Sequence, residues 1–131
     1  ELNMSDNVKF HNFKNTPELI KIIDHSELVF IPSIEIKNQF EAGPLSLIES
    51  LAREKVCIVS NSIGFVDYLN SKNSIVFKSG DIESLYHSIL KFINLNEDEK
   101  KLIQTNGIKV SQKFNYSKIS HETETFLFGR D

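Results

Sequence analysis

Three short stretches of this chain carry almost nothing but apolar side chains: Leu28-Val29-Phe30-Ile31, Val56-Cys57-Ile58-Val59 and Ser74-Ile75-Val76-Phe77. A strand with one face in water alternates apolar and polar residues. A run without polar interruption belongs to a strand covered on both faces, and that is the mark of a parallel sheet between layers of helix. The intervening segments read as helices. Thr16-Pro17-Glu18 opens one, with Thr16 as N-cap, proline at the first helical position and an acid in the first turn; Leu19, Ile20, Ile22 and Ile23 are its apolar residues. Gly43-Pro44 opens a second that runs to about Lys55, and Phe65 to Leu69 forms a short one. Asp81 caps a helix bearing Leu85, Ile89, Phe92 and Ile93. Asn96-Glu97-Asp98-Glu99, a capping-box variant, starts another that reaches about Phe114 and is weakened by Gly107. Ser117 begins the last, with Ile119, Phe126 and Leu127. Ahead of them all, Val8 to Phe13 alternates like a half-buried strand. The pattern predicts an α/β fold: a parallel Rossmann-like sheet with right-handed crossovers, helices on both faces, truncation at the N-terminal side and a helical C-terminal tail. Residues 1–131 read as one partial domain, with a strand-helix unit over 1–26, core βα units holding the site over 27–95, and C-terminal helices over 96–131.

Composition narrows the function classes. Eighteen acids against fifteen bases give a net charge of −3. With no Lys/Arg stripe, this argues against a nucleic-acid partner. The lone Cys57 excludes an internal disulfide and a cysteine-built metal site, points to a reducing compartment, and reads as a small core hydrophobe. His11, His25, His87 and His121 lack metal-ligand spacing, and His121-Glu122 lacks the second histidine of a metalloprotease helix. No apolar run approaches the ~20 residues of a membrane span. The polar start at Glu1 is neither an initiator Met nor a signal peptide, so the chain is expected to be a piece of a longer protein.

Open parallel sheets bind ligands beyond the carboxyl ends of their strands. Here those edges are Pro32 to Gly43, Ser60 to Gly64 and Ser79 to Asp81. The first is the richest, because it leads into a helix through Glu41-Ala42-Gly43-Pro44-Leu45-Ser46. Unpaired N–H groups and the positive dipole end of that helix suit a diphosphate, and Gly43 would permit close approach. A plain helix start explains the same residues. At 100° per residue Glu49 falls beside Leu45, on a stripe with Ile48 and Ala52. A carboxylate on a buried stripe needs a partner. A ligand's ribose diol, Arg53 at i+4, or a place at the solvent edge of the stripe each accounts for it. Ser33 and Ser60, at strand ends, either touch a ligand or close chain-end hydrogen bonds.

These residues resemble a known family. Leu28 to Ser33, Glu41 to Ala52 and Val56 to Asn61 are similar to the C-terminal, donor-binding domain of family-4 retaining glycosyltransferases of the GT-B fold. The signature is a pair of glutamates, Glu41 and Glu49, with seven residues between them, set after a Pro-Ser strand end. Ile63-Gly64-Phe65-Val66-Asp67, Ser79-Gly80-Asp81 and Lys113-Phe114-Asn115-Tyr116 match further family segments, so the likeness spans Val8 to Phe128.

The resemblance implies transfer of a sugar from a nucleotide-diphosphate sugar to an acceptor with retention at the anomeric carbon, a hexosyltransferase type of reaction without metal or other cofactor. It implies a catalytic, sugar-holding role for Glu41 with the Ala42-Gly43 turn, diphosphate binding by the N–H groups of Leu45 and Ser46, and ribose binding by Glu49. The implied partners are a nucleotide sugar and, through an N-terminal domain absent from this sequence, a glycan or lipid-linked acceptor. Polysaccharide biosynthesis and a cytoplasmic location, the inner membrane face included, follow by the same analogy. Besides Asp67, where the family loop usually ends in Glu, the chain departs from the family in three places. Glu41-Ala42-Gly43-Pro44-Leu45 replaces the usual Glu-Gly-Phe-Gly-Leu, which leaves the donor's sugar open. Ile34 to Phe40 lengthens the loop, and the family's two leading βα units, with their Arg/Lys pair, are missing. The chain alone is therefore expected to show little or no transferase activity. Its first strand either pairs directly with Leu28–Ile31, or an exposed sheet edge seeks a partner chain in self-association. A non-catalytic nucleotide-binding module and an α/β interaction domain are the alternatives.

Overall fold

The structure is a computed structural model that describes residues 4–12, 15–37, 39 and 41–129. Its strands are β1 (Leu28–Ile31), β2 (Val56–Ser60) and β3 (Ile75–Phe77). Its helices are α1 (Thr16–His25), α2 (Leu45–Ala52), α3 (Ile82–Ile93), α4 (Glu97–Ser111) and α5 (Tyr116–Phe128). The strands form one parallel sheet in the order β1-β2-β3. Leu28 is in register with Val56, and Ile58 with Ile75.

Only the central strand is covered on both faces as expected, every residue of β2 being buried; the flanking strands each leave a side chain exposed, Phe30 on β1 and Val76 on β3. Cys57 and Val59 face Leu47 and Leu51 of α2, with Ile31, Ile63 and Val110 completing that side. Val56 and Ile58 face the other way, with Ile75, Phe77 and Ile103, against Leu85 and Phe92 of α3. Helices thus cover both faces of the sheet, and α4 contributes to both clusters through Val110 and Ile103. A glycine lets α4 approach α2 closely. Ser50 is fully buried on α2, and a Cβ on Gly107 would lie 2.9 Å from Leu51 Cδ2. Burial pushes the Cys57 thiol up to about 12, so this cysteine is a core side chain and not a nucleophile.

The capping box of α4 is present as read: Asn96 Oδ1 accepts from Glu99 N–H at 2.9 Å, and Glu99 Oε2 accepts from Asn96 N–H at 2.9 Å. Asp81 caps α3 by accepting from Ser84 N–H at 3.0 Å. Other boundaries move. The cap of α1 is Asn15, whose side chain accepts from Glu18 N–H at 3.1 Å, and Thr16 is already helical. Asn15 reaches the third helical N–H from outside the helix, which a residue inside the turn cannot do. The last helix begins at Tyr116, one residue before the expected Ser117, and Asn115 caps it by accepting from Ser117 N–H at 3.0 Å. Ile89 and Ile93 lie on the exposed side of α3. The strand expected over Val8 to Phe13 is not formed over 8–12, and Phe13 lies outside the described residues. Val8 and Phe10 are exposed, so their alternation buries no face. Among the described residues nothing pairs with the outer edge of β1.

The end of α2 carries a local strain. Lys55 N–H donates to Ser50 O at 3.0 Å and Glu54 N–H to Leu51 O at 3.2 Å, the paired bonds of a Schellman motif. That motif places Glu54 at φ 58, in the left-handed region where a side chain costs energy and glycine does not. Glu54→Gly is therefore expected to raise stability by roughly 1 kcal/mol in urea denaturation, since the native conformation already suits glycine. Beside this turn the Arg53 guanidinium forks onto Asp24 of α1 and holds the Asp24 carboxyl below its usual range.

Candidate functional site

The three strands end on one edge, and their following loops are tied together there by short polar side chains. After β2, Ser60 Oγ accepts from Ser62 N–H at 3.0 Å and turns the chain out of the sheet. Asn61 N–H donates to Phe77 O at 2.9 Å, and Asn61 Oδ1 accepts from Ser79 N–H at 2.8 Å. Ser79 Oγ donates in turn to Ser33 O, just past β1, at 3.3 Å. Ser33 Oγ donates to Glu41 Oε2 at 2.5 Å. The backbone of Glu41 is pinned as well: Gly64 N–H donates to Glu41 O at 2.9 Å, and Glu41 forms a parallel bridge with Ile63. An open cleft of about 480 Å³, lined by Ile34, Glu35, Asn61, Ser62, Ser79 and Gly80, lies on this edge.

The expected site residues fall as follows. Glu41 is exposed and sits where the first two loops meet, its carboxylate oriented by Ser33. Ala42 is exposed, and its carbonyl packs on Gly64; a Cβ there would lie 2.0 Å from Ala42 O. Gly43 has a role other than the one expected. A Cβ on it would lie 2.4 Å from Phe65 Cζ, so the space its missing side chain leaves is filled by the Phe65 ring and not left for a ligand. That ring continues into an aromatic stack with Phe114 at 4.4 Å and then Tyr68 at 5.1 Å. The N–H groups of Leu45 and Ser46 have no acceptor among the described residues, and Pro44 at the cap has no side-chain hydrogen bond to offer them. Two donors therefore stand open at the positive end of α2.

Glu49 requires a correction. The buried stripe of α2 is Leu47, Ser50 and Leu51; Leu45 is 74% exposed, and Ala52 and Glu49 are exposed too. The helix turns its 47–50–51 face inward, with Leu47 and Leu51 in the cluster under the sheet and Ser50 Oγ donating to Ser46 O at 2.6 Å. A size-blind count of apolar residues favours Leu45 instead. Glu49 is thus no buried acid seeking a partner, and Arg53, offered as its structural partner, is committed to Asp24. Among the described residues Glu49 has no ion pair or side-chain hydrogen bond. Sequence reasoning underweighted Ser33, Asn61 and Ser79, whose signal was only their place at strand ends.

Among the described residues no group of three or more His, Cys, Asp or Glu side chains is placed to hold a metal ion, and no helix is long and apolar enough to cross a membrane. The edge described above, on a parallel sheet layered by helices, defines a Rossmann-like α/β domain. Its fold matches part of the sucrose-phosphate synthase from Thermosynechococcus elongatus, with a TM-score of 0.80 at 19% sequence identity. The match covers 95% of this chain and 30% of that one, so the chain spans under a third of that protein's length. No curated protein matches it. Residues 1–109 match the family described as glycosyl transferases group 1, and the chain belongs to that family.

Proposed function

We propose that this chain is the donor-binding part of a glycosyltransferase that moves a sugar from a nucleotide-diphosphate sugar to an acceptor, with retention of anomeric configuration. Family membership over residues 1–109 supports the reaction class. The observation that carries the placement is the pair of unaccepted N–H groups at Leu45 and Ser46, beside the pinned Glu41 loop. As the glycosidic bond breaks, negative charge grows on the departing diphosphate. Fixed donors and a helix dipole aimed there stabilise it without reorganising. Glu41, held by Ser33 and Gly64, faces the sugar. Glu49, a turn into the helix and open to solvent, receives the ribose hydroxyls. Its exposure suits that role, since a carboxylate that binds from the solvent side must be accessible before the ligand covers it. The reading includes no metal, an acceptor held by a further domain, and little transferase activity in these 131 residues alone.

The test is calorimetric titration of the whole protein containing this chain with UDP and with GDP. One of the two is expected to bind, and Glu49→Ala is expected to weaken that binding about 10-fold or more, the loss of hydrogen bonds to a charged group. Failure of both nucleotides to bind at millimolar concentration contradicts the proposal.

A further inference from the structure

We infer that Ser33 is a positioning residue for Glu41, and that the link from β3 through Asn61 and Ser79 holds Ser33 in place for that task. The inference rests on the reading of Glu41 as the sugar-facing carboxylate. A glutamate on an exposed loop samples many rotamers, and ordering such a side chain costs free energy each time the reactive geometry is reached. Here that freedom is curtailed. Ser33 Oγ donates to Glu41 Oε2 at 2.5 Å across eight residues of sequence, at the short end for a hydroxyl–carboxylate bond. The hydroxyl engages one oxygen, Oε2, so one end of the carboxylate is anchored.

Ser33 is itself fixed on its carbonyl side. Ser79 Oγ donates to Ser33 O at 3.3 Å, and the Ser79 backbone is set by Asn61 Oδ1 at 2.8 Å. Asn61 in turn donates its N–H to Phe77 O, the last residue of β3. Each connection runs from a strand end outward, so the rigidity of the sheet reaches the carboxylate through three short side chains. Threonine at position 33 would keep the hydroxyl and alanine would remove it. The serine is thus distinguishable from a mere loop residue.

The test uses the whole protein containing this chain and follows release of UDP or GDP, with water as acceptor, from UDP-glucose, UDP-galactose, UDP-N-acetylglucosamine and GDP-mannose. With the donor that is turned over, Ser33→Ala is expected to lower kcat about 10-fold or more while KM changes less than about 3-fold. Ser33→Thr should restore kcat to within about 3-fold. Ser79→Ala, one bond further away, should give a smaller fall in kcat in the same direction. If Glu41→Gln is impaired but Ser33→Ala is not, or if Ser33→Thr is as impaired as Ser33→Ala, the positioning role is wrong and the reading of Glu41 stands. If Glu41→Gln retains full turnover, or none of the four donors is turned over by the parent protein, the reading of Glu41 falls and this inference with it.

Discussion

Leu51→Ala is expected to cost the folded chain about 2–5 kcal/mol, measured as a fall in the urea midpoint at unchanged m-value. Leu51 has no exposed surface, shares a cluster with Leu47, Cys57, Val59 and Val110, and abuts Gly107 of α4. It therefore joins the sheet face, α2 and α4 at one point. The vacated space has little chance to collapse, because the backbone of α4 already approaches α2 as closely as a glycine permits. Leu45, on the same helix and 74% exposed, supplies the internal control. Leu45→Ala should change stability by less than about 0.5 kcal/mol. Equal effects of the two substitutions would show that the inward face of α2 is not the one described.

Gly64→Ala should damage the site more than any other single methyl group. The added Cβ would lie 2.0 Å from Ala42 O and 2.9 Å from Ala42 C, both backbone atoms that cannot swing aside as a side chain does. Relief requires the 41–43 segment to leave the 63–65 segment, which breaks the Gly64 N–H to Glu41 O bond and the bridge between Glu41 and Ile63. A loss of about 2–3 kcal/mol in stability is expected. Nucleotide binding should fall more than 10-fold in the whole protein, because the loop entering α2 is displaced. Gly80→Ala is the contrast. Gly80 has φ 73 but nothing within 4 Å of a Cβ, so its cost should be one of backbone strain alone, about 1 kcal/mol. Near-native stability and binding for Gly64→Ala would mean that the two loops are not in contact.

The sheet was legible because its signal is redundant. Three apolar runs, the gaps between them and the caps at Asp81 and Asn96 all point to parallel strands alternating with helices. The leading segment was misread because alternation alone does not make a strand. Val8 and Phe10 have the spacing, but in the described residues they find no sheet neighbour and stay exposed. The inward face of α2 was misread for a different reason. Periodicity counts apolar residues, whereas the inward face also carries a small polar one, Ser50, between Leu47 and Leu51. The glycines carried a similar ambiguity. Gly43 and Gly64 mark close approach, yet whether a ligand, a ring or a carbonyl does the approaching depends on contacts from distant segments. Sequence could point to the edge and to Glu41, but the ties among Ser33, Asn61 and Ser79 bring together residues up to 46 apart and needed coordinates.

We propose that the amino end of α2 receives the diphosphate of a nucleotide sugar. Backbone amide NMR of the isotope-labelled chain during titration with UDP and GDP tests it most directly. Saturating shifts centred on the Leu45 and Ser46 amides, with smaller ones over 61–64 and 79–81, are the predicted result. Shifts confined to α4 and α5, or none up to millimolar nucleotide, would contradict it.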